Sequence, residues 1–203
     1  MKADIRTALI LNPCLTGNQL LRAILNDFGL NAKGRDRLAF IDSLNCFLLE
    51  QVALGCNVAL IIDEAQDLSA ELLEQVRLLS NLETDRHKLL QIVLCGQPEL
   101  QRRLDTPELR QLRQRIAIRC HLRPLTEEET RHYIEHRLRT AGWKGGELFA
   151  TDAVHAVHSY AAGVPRLTNA LCDVALLAGY AAQIGVIDVA CVKRGIRQLE
   201  GKQ

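Results

Sequence analysis

The sequence of 203 residues lacks several features that would each narrow its class. No apolar run is long enough to cross a bilayer, and the opening Met-Lys-Ala-Asp-Ile-Arg6 has no apolar signal core, so a reducing cytoplasm is the expected setting. Paired cysteines are missing as well. The seven cysteines (Cys14, Cys46, Cys56, Cys95, Cys120, Cys172, Cys191) are scattered without a C-x-x-C spacing and odd in number. That argues against a zinc ribbon or a disulfide framework and predicts buried free thiols. Neither sign of charge dominates: 25 Lys and Arg against 24 Asp and Glu give +1, so nucleic acid and acidic lipid meet no global attraction. Glu127 to Glu129 and Glu135 further dilute the basic stretch Arg131 to Arg139, and nucleic acid is not an expected partner. No Gly-x-Ser-x-Gly and no Cys–His arrangement points to nucleophilic catalysis. The remainder, 48% hydrophobic and 24% charged, is ordinary for a soluble protein of one or two domains.

Against that background one stretch stands out, Asn57-Val-Ala-Leu-Ile-Ile-Asp63-Glu64-Ala-Gln66-Asp67. Its apolar run from Val58 to Ile62, rich in β-branched residues, predicts a strand buried on both faces that delivers carboxylates to a sheet edge. An aspartate there can hold Mg²⁺, and the adjacent glutamate can polarise a water that attacks phosphate, which is a Walker-B-type reading. The competing explanation is an acidic helix start, because Asp and Glu favour first helical turns.

Around this strand the pattern alternates. Residues 5–12 predict a strand closed by the turn Asn12-Pro13, and Thr16-Gly17-Asn18 caps a helix ending at Gly29. After a polar loop, Leu38, Ile41, Leu44, Leu48 and Val52 fall on one face of a second helix that Gly55 stops. Ser69 caps a helix with Leu72, Leu73, Val76 and Leu79 inward, and Leu89 to Cys95 predicts another strand. Short helical turns then carry Arg110, Arg113 and Arg115 toward a predicted strand from Ile116 to His121. Strands alternating with helices imply a parallel α/β sheet over residues 1–123. From Pro124 no comparable strand follows: Thr126 to Glu129 is a capping box, Thr151-Asp152 and Asp188 open further helices, and residues 124–203 predict a small all-helical domain.

Further candidate pieces accompany the acidic strand end. Gly96-Gln97-Pro98 ends the next strand, where α/β sheets bind ligands, so Gln97 is placed to reach the water or γ-phosphate; a plain turn is its alternative. Leu112-Arg-Gln-Arg115 offers guanidinium groups that suit phosphate oxygens, and otherwise reads as solvated helix charge. Gly163-Val-Pro-Arg166-Leu-Thr-Asn169 aims Arg166 from a helix start, and otherwise reads as a helix corner. His155 and His158, three apart, lack a third ligand, and Trp143 reads as a packing anchor.

In this order the pieces resemble the AAA+ ATPases, and within them the secretion-ATPase family of general secretion pathway protein A. The resemblance covers nearly the whole chain. It implies a Walker B pair at Asp63 and Glu64 with Mg²⁺ on Asp63, a sensor-1 position at Gln97, an arginine finger at Arg115 with Arg113 as its rival, and a sensor-2 arginine at Arg166. It further implies ATP as cofactor, a homo-oligomer, protein partners in a secretion or export machine, and membrane association in a longer form. One departure is large. Members of the family carry Gly-x-x-x-x-Gly-Lys-Thr upstream of the Ala8 strand, where backbone amides and a lysine cradle phosphate. The sequence holds no such motif; Gly29-Leu-Asn-Ala-Lys-Gly34 is followed by Arg35-Asp36 and preceded by no strand. The chain therefore reads as an AAA+ core without its first strand and phosphate loop, either shortened or naturally degenerate, with poor hydrolysis expected. The alternative is a non-hydrolysing adaptor or oligomerisation module of the kind used in DNA transposition or exopolysaccharide export.

Overall fold

Strands β1 (Ile5–Ile10), β2 (Asn57–Ile62) and β3 (Gln91–Leu94) pair in parallel in the order β1-β2-β3, with Leu9, Ile61 and Val93 in one cross-strand row. The computed structural model describes residues 4–11, 15–31, 34, 36–84 and 88–201. The turn expected at Asn12-Pro13 lies outside the described residues, as do Cys14 and parts of the Gly29 to Asp36 loop. Each crossover is helical: α1 (Gly17–Asp27) and α2 (Arg37–Ala53) join β1 to β2, and α3 (Ala70–Leu79) joins β2 to β3.

Local chemistry explains where these helices start. Thr16 and Gln19 form a reciprocal capping box on α1, Asp36 caps α2 through the Ala39 amide, and Ser69 caps α3 through the Leu72 amide. Their apolar faces then collapse onto the sheet. Leu20, Ile24, Leu44, Leu48, Leu73 and Val76 share one core with Ala8, Ile10, Val58, Leu60 and Ile62. Leu38, expected on the inner face of α2, is instead 68% exposed, because the buried stripe of that helix is Phe40, Leu44, Leu48 and Gln51.

Burial of the central strand also departs from expectation. Val58, Leu60 and Ile62 are buried, but Ala59 and Ile61 are only half-buried, and their neighbours Leu9 and Val93 are 45% and 46% exposed. Only one face of the sheet is fully covered by the helices that follow its strands. A second correction concerns Ile116 to His121, which forms no strand. The segment is non-helical and pairs with nothing among the described residues, and Ile118 is 86% exposed. Its apolar alternation satisfies the local requirement of a strand but supplies no hydrogen-bonding neighbour, and pairing is what makes a strand.

The chain divides into two compact units, Met1–Arg119 and Cys120–Gln203. After β3, the first unit ends in α4 (Pro98–Leu104) and α5 (Arg110–Arg115). The second contains α6 (Glu127–Thr140), α7 (Thr151–Ala161), α8 (Pro165–Ala181) and α9 (Val189–Leu199) around Ile134, Phe149, Val154, Val157, Leu171 and Val192. Thr126 and Glu129 form the capping box of α6, and the bidentate Arg123 partner holds the Glu129 carboxyl down at about 2. Asp188 caps α9. Thr151 does not cap α7: Ala150 occupies the cap position, and no side chain bonds there. Among the described residues no helix is long and apolar enough to cross a membrane.

The expectation of buried thiols is corrected too: among the described residues Cys46, Cys95 and Cys120 are exposed, Cys56 is half-buried, and Cys172 and Cys191 are buried. Burial, helped by Asp173, pushes the Cys172 thiol from 9.0 up to about 12. A raised thiol pKa contributes full stability below the unfolded value, and that contribution is lost as pH climbs through the window between 9.0 and about 12. Within that window each pH step should cost the helical unit about 1.4 kcal/mol. Cys172→Ala should flatten the alkaline limb of the unfolding midpoint plotted against pH; an unchanged limb contradicts this.

Candidate functional site

Two backbone stitches fix the end of β2. The Asp63 N–H donates to the Ile10 carbonyl at 2.9 Å, and the Ala65 N–H donates to the Cys95 carbonyl at 2.8 Å. Between them the chain reverses sharply, and Glu64 makes that turn in the left-handed region at φ 49°, ψ 38°. For a residue with a Cβ this costs about 1–2 kcal/mol, and it persists where the surroundings over-determine it. Here they do: the Glu64 N–H donates to Asp63 Oδ1 at 2.9 Å, and the Asp67 N–H donates back to the Glu64 carbonyl at 2.9 Å.

The side chains converge on the same point. Gln66 Nε2 donates to Glu64 Oε2 at 2.7 Å and reaches Asp67 Oδ2 at 3.3 Å. Its Oε1 accepts the Gln97 N–H at 3.0 Å, so the amide is oriented with nitrogen toward carboxylates and oxygen toward a donor. Gln97 Nε2 lies 3.5 Å from the same Glu64 oxygen. Arg103 donates to the Gln66 carbonyl from α4. Gly96 makes the approach possible, since a Cβ there would stand 2.8 Å from Gln66 Oε1 and 3.1 Å from Leu100.

The structure thus gathers Glu64 and Gln97 around Gln66, beside Asp63. Gln66 was visible in the sequence motif but carried no assigned role; its spacing from both strand ends is meaningful only once β2 and β3 are paired. Among the described residues Asp63, Glu64 and Asp67 make no ion pair, which leaves the strand ends locally negative. Arg115, at the last turn of α5, makes no hydrogen bond to this group among the described residues. Its influence falls on Glu83, whose carboxyl is held below the usual range chiefly by Lys88 and more weakly by Arg115. Arg113 is engaged with Asp105 at 3.5 Å. Arg166 is exposed at the start of α8 in the second unit, just after Pro165. His155 and His158 have local partners, Glu127 and Thr130, each at 3.0 Å. Trp143 donates to the Gly146 carbonyl at 2.8 Å.

The sequence pattern of the AAA domain matches residues 4–104. General secretion pathway protein A of Aeromonas hydrophila is 44% identical over 182 residues, covering 89% of this chain and 33% of that protein. The chain belongs to the AAA+ ATPase family. It spans about a third of the length of that relative. Solved AAA+ structures share the fold at low identity. The Aeropyrum pernix ORC2 protein in its ADP form is 14% identical with a TM-score of 0.67, over 95% of this chain and 53% of that one. Cdc6p from Pyrobaculum aerophilum is 17% identical with a TM-score of 0.66, over 92% of this chain and 51% of that one. The RuvB Holliday junction branch migration motor of Thermotoga maritima gives 0.57 at 14% identity, over 97% of this chain and 62% of that one. The parallel sheet with its flanking helices is therefore the AAA+ fold.

Proposed function

We propose that this AAA+ chain carries the metal- and water-handling half of an ATP-hydrolysing site and serves, as a homo-oligomer, in a secretion or export machine. The observation that carries the reading is the strained Glu64 turn, whose carboxylate is held by Gln66 and approached by Gln97 at the ends of β2 and β3. Strain of this kind clusters at functional sites.

The residues fit the two parts of the implied cofactor differently. Among the described residues no group of three or more His, Cys, Asp or Glu is arranged to hold a metal alone. Mg²⁺ needs only one or two carboxylates, with water and phosphate filling the rest, and Asp63 keeps Oδ2 for that purpose. Phosphate is served less well, because the sequence holds no Gly-x-x-x-x-Gly-Lys-Ser/Thr to form an amide cradle. When bound, Mg²⁺ supplies charge neutralisation. Glu64 is the group that polarises water, Gln66 and Gln97 hold its carboxylate, and Arg115 is the better finger because Arg113 is tied to Asp105. Arg166 would report phosphate state from the helical unit.

With no amide cradle among its own residues, this chain by itself also suits a second reading, an adaptor that keeps the AAA+ shape without turnover. Equilibrium titration with ATP, with and without Mg²⁺, together with phosphate release, separates the two. Weak binding that strengthens with Mg²⁺ and is lost in Asp63→Ala is the expected result, with turnover near background. Binding indifferent to Mg²⁺ and to Asp63 would leave only the adaptor reading.

A further inference from the structure

Helix α4 grips the acidic turn from both of its ends. At its start Gln97 takes the N-cap position and donates its N–H to Gln66 Oε1 at 3.0 Å, and in its last turn Arg103 donates to the Gln66 carbonyl. The turn cannot satisfy that carbonyl itself. Ala65–Asp67 is a single 3₁₀ turn in which the Glu64 carbonyl accepts the Asp67 N–H at 2.9 Å and the Ala65 carbonyl accepts the Leu68 N–H at 3.3 Å. No backbone N–H among the described residues reaches the Gln66 carbonyl. Carbonyls at the end of a helical turn carry partial negative charge, which suits a guanidinium.

Arg103 has no competing partner. It is half-buried and makes no ion pair among the described residues, whereas Arg102 beside it is exposed and pairs with Glu99 at 3.8 Å. Leu100 and Leu104 anchor α4 in the core, so the guanidinium projects from a fixed stem.

We propose that Arg103 is a positioning residue for Glu64 that acts through Gln66. The inference rests on Glu64 as the group that polarises water, and names what holds it in place. Fixing the Gln66 carbonyl fixes the peptide planes on which the left-handed backbone of Glu64 depends. Together with the Gln97 N–H it also sets the direction of the Gln66 amide, whose Nε2 then meets Glu64 Oε2 at 2.7 Å. Without the guanidinium the turn relaxes toward ordinary backbone, and the Glu64 carboxylate leaves the amides that orient it.

The test is nuclear magnetic resonance on the full chain, with Arg103→Met, Arg103→Lys and Arg102→Met. In Arg103→Met the Gln66 side-chain amide protons should exchange about tenfold faster or more, as for loss of a charge-assisted hydrogen bond. The scalar couplings that separate positive from negative φ should show Glu64 leaving the left-handed region. Arg103→Lys keeps a charged donor on a long stem and should restore most of both signals, and Arg102→Met should change neither. In the unmodified chain the Arg103 guanidinium protons should exchange more slowly than those of Arg102, a comparison that needs no variant to fold. Equal exchange for the two arginines overturns the proposal. So does a folded Arg103→Met whose Gln66 amide and Glu64 couplings match the unmodified chain, or an Arg102→Met that shows the same changes. None of these signals depends on turnover. Failure of the Glu64 reading appears separately, as turnover indifferent to Glu64→Gln in a chain supplied with a phosphate loop.

Discussion

Gly163→Ala should unfold the helical unit. Gly163 sits at φ +74°, and a Cβ there would stand 2.0 Å from the Leu125 carbonyl oxygen and 2.8 Å from the Leu125 nitrogen. These are backbone atoms at the start of α6, held there by the Leu125 N–H donating to the Gly163 carbonyl at 2.9 Å. No rotamer change relieves such a clash. The left-handed penalty adds to it, and the total should exceed about 3 kcal/mol. In a unit of this size that lowers the midpoint by about 15 °C or more. Trp143 is the sequence's single tryptophan and lies in this unit, so its fluorescence follows the loss without interference from the sheet. Ala162, next door, provides a control of opposite sign. It holds φ 48° at the C-cap of α7, and Ala162→Gly should raise the same midpoint by relieving about 1 kcal/mol of strain. Equal midpoints for Gly163→Ala and wild type would show that the corner relaxes more freely than its contacts imply.

The second large effect concerns chemistry. Fusing an upstream strand, a Gly-x-x-x-x-Gly-Lys-Thr loop and its helix to this chain should confer Mg²⁺-dependent ATP turnover, because the carboxylate half of the proposed site is already formed. In that fusion Glu64→Gln should lower kcat by about 10²–10⁴-fold, the range typical of a positioned general base. The isosteric amide keeps nearly the same volume at the strained turn, so folding should survive, and ATP affinity should change little. An inactive fusion that nevertheless binds ATP, or one indifferent to Glu64→Gln, would remove Glu64 from the role proposed for it. Gln66→Ala provides a finer comparison. If Gln66 only positions the carboxylate, kcat should fall while KM holds, and Gln66→Glu should shift the acid limb of the pH profile by placing like charge beside Glu64.

Much of the molecule was legible in the sequence where local rules suffice. The cap at Thr16, the capping box at Thr126, the caps at Ser69 and Asp188, and the inward stripe of α3 follow from hydrogen-bonding side chains and apolar spacing within one turn or two. β2 and its acidic end were equally plain, because an uncharged β-branched run cut off by Asp63 and Glu64 reports its own position in a sheet. Besides Leu38, the half-covered β2 and the exposed thiols, local rules misled at two element boundaries. The segment 116–121 has the alternation of a strand and no partner, and Thr151-Asp152 has the composition of a cap while the chain places Ala150 in that position.

The sequence by itself determined that Asp63 and Glu64 would emerge together at a strand end, since the order of residues along one strand dictates that. Only the tertiary structure decided what meets them there. Pairing β2 with β3 carries Gln97 across 33 residues to Glu64, and it is the same pairing that lets Gln66 bond both. The left-handed turn at Glu64 arises likewise, because two stitches to different neighbouring strands leave the residue between them no other way to turn. Contacts of that kind depend on the register between strands, and no spacing within one segment encodes it.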